Sequence, residues 1–167
     1  MEQTLKVFRI RASTWELSKN KCSINRYVEL HTNVGQREQN FDLKKIETAD
    51  GAGAFLSIAT NYPVYDYDGE LPKSDEYFAG VIYTDDAQIG ALVFQYRQIE
   101  GCGMLYTSEP DEIQKLLSLL LANIDLEFQI LGKNGVVYDT IFLPQNPDGI
   151  ELTSSFVRFL YHGREES

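Results

Sequence analysis

The chain has 167 residues, 25 acids against 15 bases and a net charge of −10. A chain this long buries about 70% of its unfolded surface and needs neither disulfides nor a structural metal to fold. Its 43% hydrophobic and 12% aromatic content excludes an intrinsically disordered chain. Its acidity argues against binding nucleic-acid phosphates or anionic lipid, both of which call for Lys and Arg.

The charge is unevenly spread. Residues 1–60 hold nine bases and seven acids, a net of +2, whereas residues 61–167 hold six bases and eighteen acids, a net of −12. No repeat or Gly/Ser-rich linker separates the two parts, so the expectation is one domain over residues 1–167 with internal polarity.

Taken in chain order, the elements are mostly short β-type runs bounded by turn residues. Residues 5–12 form a first strand. Ser13-Thr14-Trp15-Glu16 has capping-box spacing and predicts one helical turn ending near Asn20. A second strand over 24–32 puts Val28 and Leu30 on one face and Tyr27, Glu29 and His31 on the other. Asn33-Val34-Gly35-Gln36 turns it into a third strand through Phe41, Leu43 and Ile46, and residues 54–59 form a fourth.

Residues 77–84 and 89–98 make a hairpin turning at Asp85-Asp86-Ala87-Gln88. It is apolar on both faces, which predicts central strands covered on each side. The main helix, about 109–123, is read as capped by Ser108, with Pro110 in its first turn. Its buried stripe is Ile113, Leu116, Leu117, Leu120, Leu121 and Ile124. Leu119 lies off that stripe and marks either a self-association surface, making a homo-oligomer an open option, or a deeply buried helix. A second hairpin, 126–131 and 136–143, turns at Gly132-Lys133-Asn134-Gly135. Thr153 or Ser154 caps a short C-terminal helix ended by Gly163. The fold class is therefore α+β, a largely antiparallel sheet built from hairpins and covered by one main helix.

The N-terminus does not read as a signal peptide, and the most apolar run, 116–122, is far short of the roughly 20 residues of a membrane span. Cys22 and Cys102 are expected to be free, mostly buried thiols. A cytoplasmic location is the expectation, with no membrane contact. His31 and His162 read as surface imidazoles. No zinc-ligand spacing, serine-hydrolase elbow or phosphate loop occurs. Asp66-Tyr67-Asp68-Gly69-Glu70 begins like a calcium loop, but Leu71 and Tyr77 stand where that loop requires Gly and Glu. Neither a metal, a cofactor nor a catalytic residue is expected.

Gln98-Ile99-Glu100-Gly101-Cys102-Gly103 resembles the Gln/Arg-x-x-Gly-x-Gly/Ala turn of the acetyl-CoA-dependent N-acetyltransferases, whose backbone amides hold the cofactor's diphosphate. The resemblance implies an N-acyltransferase using Gln98, Gly101 and Gly103. It departs from the family pattern in that Met104-Leu105-Tyr106-Thr107 separate the glycines from the helix start.

The stretch 61–76 has no helical or strand periodicity and holds three tyrosines, five acids and one lysine. Connections longer than about 12–15 residues are usually functional or disordered. Tyrosines give contact area at low entropic cost, and surrounding acids steer a basic partner. Tyr62, Tyr65, Asp66, Tyr67, Asp68, Glu70, Asp75 and Glu76 are therefore the candidate partner-binding residues. The leading expectation is a non-enzymatic module that neutralises a basic, toxin-like or nuclease-like protein, as an inhibitor, immunity protein or antitoxin does. Besides the acyltransferase, the alternative is a β-rich small-ligand binder with a cavity lined by Tyr and Phe.

Overall fold

The computed structural model describes residues 6–19, 22–49, 51–62, 77–132, 135 and 137–146. Its strands are β1 (Val7–Ala12), β2 (Glu16–Leu17), β3 (Ser23–Thr32), β4 (Gly35–Thr48), β5 (Gly51–Thr60), β6 (Tyr77–Thr84), β7 (Ala87–Ile99), β8 (Cys102–Thr107), β9 (Leu126–Leu131) and β10 (Val137–Leu143). One helix, α1 (Pro110–Ala122), lies between β8 and β9. The strands form one sheet in the order β1-β3-β4-β5-β8-β7-β6-β9-β10, with β2 paired to β3 off this path. Every described pairing is antiparallel, and the sheet curls into a half-barrel with a single helix, so the α+β class is observed. The expected C-terminal helix lies outside the described residues.

Alternation sets which face is buried. Ile24, Val28 and Leu30 of β3, Phe41 and Leu43 of β4, and Leu56 and Ile58 of β5 share one core with Phe94, Tyr96 and Phe128. Ile113, Leu116, Leu117 and Leu120 of α1 join the same core, so the helix covers the concave face. Each such side chain contributes on the order of 1.5–3 kcal/mol on burial. The helix also caps the edge of β7 that β8 leaves unpaired: the Val93 N–H, beyond the last β7–β8 pair, donates to Glu112 Oε2 at 2.9 Å.

Several expectations need correction. Ser13 to Glu16 form no helical turn: Ser13 bonds Tyr27 through both its backbone N–H and its side-chain oxygen, Trp15 is buried on Phe41, and Glu16 enters β2. Tertiary pairing with β3 overrides the capping-box spacing. The helix N-cap is Glu109 rather than Ser108, and no side-chain cap bond is made. Leu121 faces solvent at 41% exposure, and Leu119 is instead partly buried against the core. The β6–β7 turn is tighter than expected, with Asp85 and Asp86 at positive φ between the paired Thr84 and Ala87. Aspartate tolerates that conformation better than most residues.

The β6–β7 hairpin is central in the sheet, but its second face is not fully covered: Val93 is 42% exposed and Ile89 43%. Cys22 is half-buried and Cys102 exposed, so the thiols are free but not both buried. Among the described residues no helix is long and apolar enough to cross a membrane.

Candidate functional site

Curling brings β10, last in the sheet order, against the inward side chains of β3 and β4. Two polar clusters form there. Both arise from polar residues placed at the inward positions of otherwise apolar strands: Arg26 between Ile24 and Val28, Arg37 and Gln39 before Phe41, and Asp139 before Ile141.

The first cluster is closed. Gln39, fully buried, donates from Nε2 to Thr140 O at 3.0 Å and accepts the Phe142 N–H at 3.0 Å, so its carboxamide takes the place of a neighbouring strand along β10. It also donates to the Tyr62 hydroxyl at 3.1 Å, which donates in turn to Asp139 Oδ2 at 2.8 Å. Asp139 Oδ1 accepts the Thr140 N–H at 2.8 Å and lies 3.5 Å from Arg37 Nη1. The Arg37 guanidinium stands over the Tyr62 ring, 4.3 Å from its centroid, a cation–π contact. Burial pushes the Asp139 carboxyl up to about 6, against the opposing pull of the Tyr62 hydroxyl, Arg37 and the Thr140 N–H. Burial, then the facing Asp139, likewise push the Tyr62 phenol well above its ordinary value.

The second cluster is open. Arg26 is 4% exposed and donates to three backbone carbonyls: from Nε to Ser13 O at 2.8 Å, from Nη1 to Pro144 O, and from Nη2 to Gln145 O at 3.0 Å. No carboxylate touches it among the described residues, and burial lowers its pKa to about 10, with Asp125 opposing the shift. A cleft of about 430 Å³ lies beside it, lined in part by Ile10, Leu126, Phe142 and Asn146. Sequence reasoning missed Arg26, Arg37, Gln39, Asp139 and Asn146. For the first four, a polar residue at core parity was the available signal.

Of the candidate partner-binding residues, Tyr62 is the described one, and it is engaged inside the protein rather than turned to a partner. Its hydroxyl meets Gln39 and Asp139, and its carbonyl accepts from the Gly103 N–H at 3.1 Å and from Thr60 Oγ1. Asn61 extends the β4–β5 pairing through its backbone and its side chain, both bonded to Glu38. Tyr65, Asp66, Tyr67, Asp68, Glu70, Asp75 and Glu76 lie outside the described residues, as does His162. His31 is on the surface beside Glu29, 3.2 Å away. No group of three His, Cys, Asp or Glu side chains suited to a metal occurs among the described residues.

The acetyltransferase-like stretch is a two-residue hairpin. Gln98 pairs with Gly103 and Ile99 with Cys102, while Glu100 and Gly101 occupy the turn at φ 49° and 83°. The chain leaves it as strand β8, so these amides are not at a helix N-terminus. Gly103 has a packing reason instead: a Cβ there would stand 3.0 Å from Thr60 Oγ1 and 3.2 Å from Tyr62 O, where the chain leaving β5 crosses it. Phe78, Tyr96, Phe94 and Phe128 make edge contacts in two pairs, 6.1 and 6.4 Å between centroids, and fill the core rather than line the Arg26 cleft.

No known protein family, curated protein or solved structure matches the chain.

Proposed function

We propose that this chain is a non-catalytic, acidic protein-binding module of the inhibitor, immunity or antitoxin kind, which neutralises a basic protein partner in the cytoplasm. The observation that supports the reading is a group of acids gathered at one end of the sheet. Asp85 and Asp86 in the β6–β7 turn lie at the same end of the sheet as Glu127, which pairs with Tyr83, and the neighbouring Asp125. An acidic end on such a molecule orients an approaching cationic partner and speeds association. The 61–76 stretch, with Tyr65 and Tyr67 among five acids, supplies the aromatic anchors in this reading.

The test begins with capture from the native host at low and moderate salt, followed by binding kinetics on the purified pair. Asp85→Asn, Asp86→Asn and Glu127→Gln together should slow association and flatten its salt dependence, since rim charges act mainly on the on-rate. Asparagine keeps the turn's positive φ accessible. Tyr65→Ala with Tyr67→Ala should speed dissociation, weakening affinity by about 2 kcal/mol or more. If no basic protein is enriched at either salt concentration, the reading fails.

A further inference from the structure

The cleft beside Arg26 contains two groups whose hydrogen-bonding capacity the protein itself does not use. An arginine has five N–H donors. Arg26 commits three of them to the carbonyls of Ser13, Pro144 and Gln145, which leaves one N–H on each Nη. Asn146, also on the cleft wall, is 3% exposed, and neither its side-chain Nδ2 nor its Oδ1 has a partner. Its backbone is held by Asn123, which accepts the Asn146 N–H at 2.9 Å and donates to the Asn146 carbonyl at 3.1 Å. A buried carboxamide with donor and acceptor both idle is unfavourable and rare in a native protein. The same structure shows what such an amide can do when occupied: Gln39 uses its donor and its acceptor together to hold β10.

The remaining lining narrows the ligand. Leu126, Phe142 and Ile10 make the walls apolar, and about 430 Å³ suits a small molecule. Asp125 stands at the exposed rim, with Oδ1 accepting the Gln145 N–H at 2.7 Å and Oδ2 left over. Arg26 and Asp125 therefore present opposite charges to the same small volume. A lone carboxylate would face repulsion from Asp125, and a lone amine from Arg26.

We propose that this cleft binds a free amino acid with an apolar side chain. The ligand's carboxylate takes the two spare Arg26 N–H groups and Asn146 Nδ2, its ammonium takes Asn146 Oδ1 and Asp125, and its side chain packs on Leu126 and Phe142. The site shares Asp125 with the acidic end proposed above to meet a protein partner, but the partner test changes Asp85, Asp86 and Glu127 and leaves Asp125 in place, so either reading can fail alone.

Calorimetric titration and thermal melts of the full chain test the proposal. L-leucine, L-methionine, L-phenylalanine and L-tryptophan are the probes, with N-acetyl-L-phenylalanine and phenethylamine as analogues that lack one charge. At least one of the amino acids should release or absorb binding heat and raise the melting temperature, and each analogue should bind about tenfold more weakly or worse than phenylalanine. Asn146→Leu should abolish the binding while the ligand-free protein melts at or above the parent temperature. Asp125→Asn, at the exposed rim, should weaken the amino acid and leave N-acetyl-L-phenylalanine binding equal or tighter, because the repulsion on its lone carboxylate is gone; this keeps the test sound if Asn146→Leu misfolds. Absence of binding by all four amino acids at millimolar concentration overturns the proposal. Binding that neither variant changes, or that both analogues match, overturns it as well.

Discussion

Two arginines enter the space beneath β10 from neighbouring strands of the same sheet and end in different company. Arg37 reaches Asp139 and the Tyr62 ring, inside a cluster where Gln39, Tyr62, Asp139 and Thr140 satisfy one another. Arg26, more deeply buried, reaches only backbone carbonyls and stands next to an amide without partners. The Arg37 cluster is a closed structural device that locks β10 onto β4. The Arg26 cluster does half of that work and keeps unused donors and acceptors at the wall of a cleft. Burial of charge alone therefore does not separate a structural from a binding role; unspent hydrogen-bonding capacity does.

The sharpest way to break this comparison is to remove each arginine. Arg26→Met leaves the carbonyls of Ser13, Pro144 and Gln145 unpaired in the interior and should cost about 3–5 kcal/mol. Arg37→Met should cost less, about 1–2 kcal/mol, because Arg37 is partly exposed and the Asp139 carboxyl it leaves can take up a proton. Urea unfolding of both variants measures the order, and the reverse order would mean that the closed cluster, not the open one, anchors β10.

A pH series on Asp139→Asn probes the closed cluster by itself. Asp139 titrates near 6 in the fold against an ordinary 3.8, so the native state holds its proton more tightly than the unfolded chain. The sign follows: this group's stabilising contribution is fully present below pH 3.8 and is lost as pH rises through about 6. Across that window the parent should lose up to about 3 kcal/mol relative to Asp139→Asn. Parallel pH–stability curves for the two proteins would show that the carboxyl is not held as the structure shows it.

Gln39→Leu should cost about 2 kcal/mol, because the Thr140 carbonyl and the Phe142 N–H lose their partner. Faster hydrogen exchange at Phe142, with little change at Phe128 on β9, would locate the loss on the free edge of β10. The smallest effect is expected in the open cluster. Asn146→Leu, without ligand, should gain about 1 kcal/mol by removing an unpaired buried amide. A loss of similar size would show that Asn146 is structural after all and draw the two clusters together.

Much of the fold was legible in the residues. Period-two alternation in β3 separated Val28 and Leu30 from Tyr27, Glu29 and His31, and the structure buries the same side. Ile113, Leu116, Leu117 and Leu120 were readable as a helical stripe because their 3.6-residue spacing has no strand equivalent. Where local signals competed, the reading failed. Ser13 to Glu16 has the spacing of a helix start, yet pairing with β3 offers the Ser13 side chain a better bond, to the Tyr27 N–H. Attention to Tyr and Asp content without periodicity singled out 61–76, and Tyr62 turned inward because its hydroxyl finds Gln39 and Asp139 there.

The sequence by itself determined the strand parity, the hairpin turns at Asp85-Asp86 and around Gly35, the amphipathic helix and the charge asymmetry, since each rests on residues within a few positions of one another. Arg26, Arg37, Gln39 and Asp139 are misfits on apolar faces, a signal that is present in the residues but went unread in the sequence. What those misfits meet was decided only by the tertiary structure. Arg26 finds two of its three carbonyl acceptors 118 and 119 residues along the chain, and Arg37 finds Asp139 at a distance of 102. The curl of the whole sheet sets those encounters: it carries the last strand over the inward faces of β3 and β4, and no local propensity encodes where a free strand edge comes to rest.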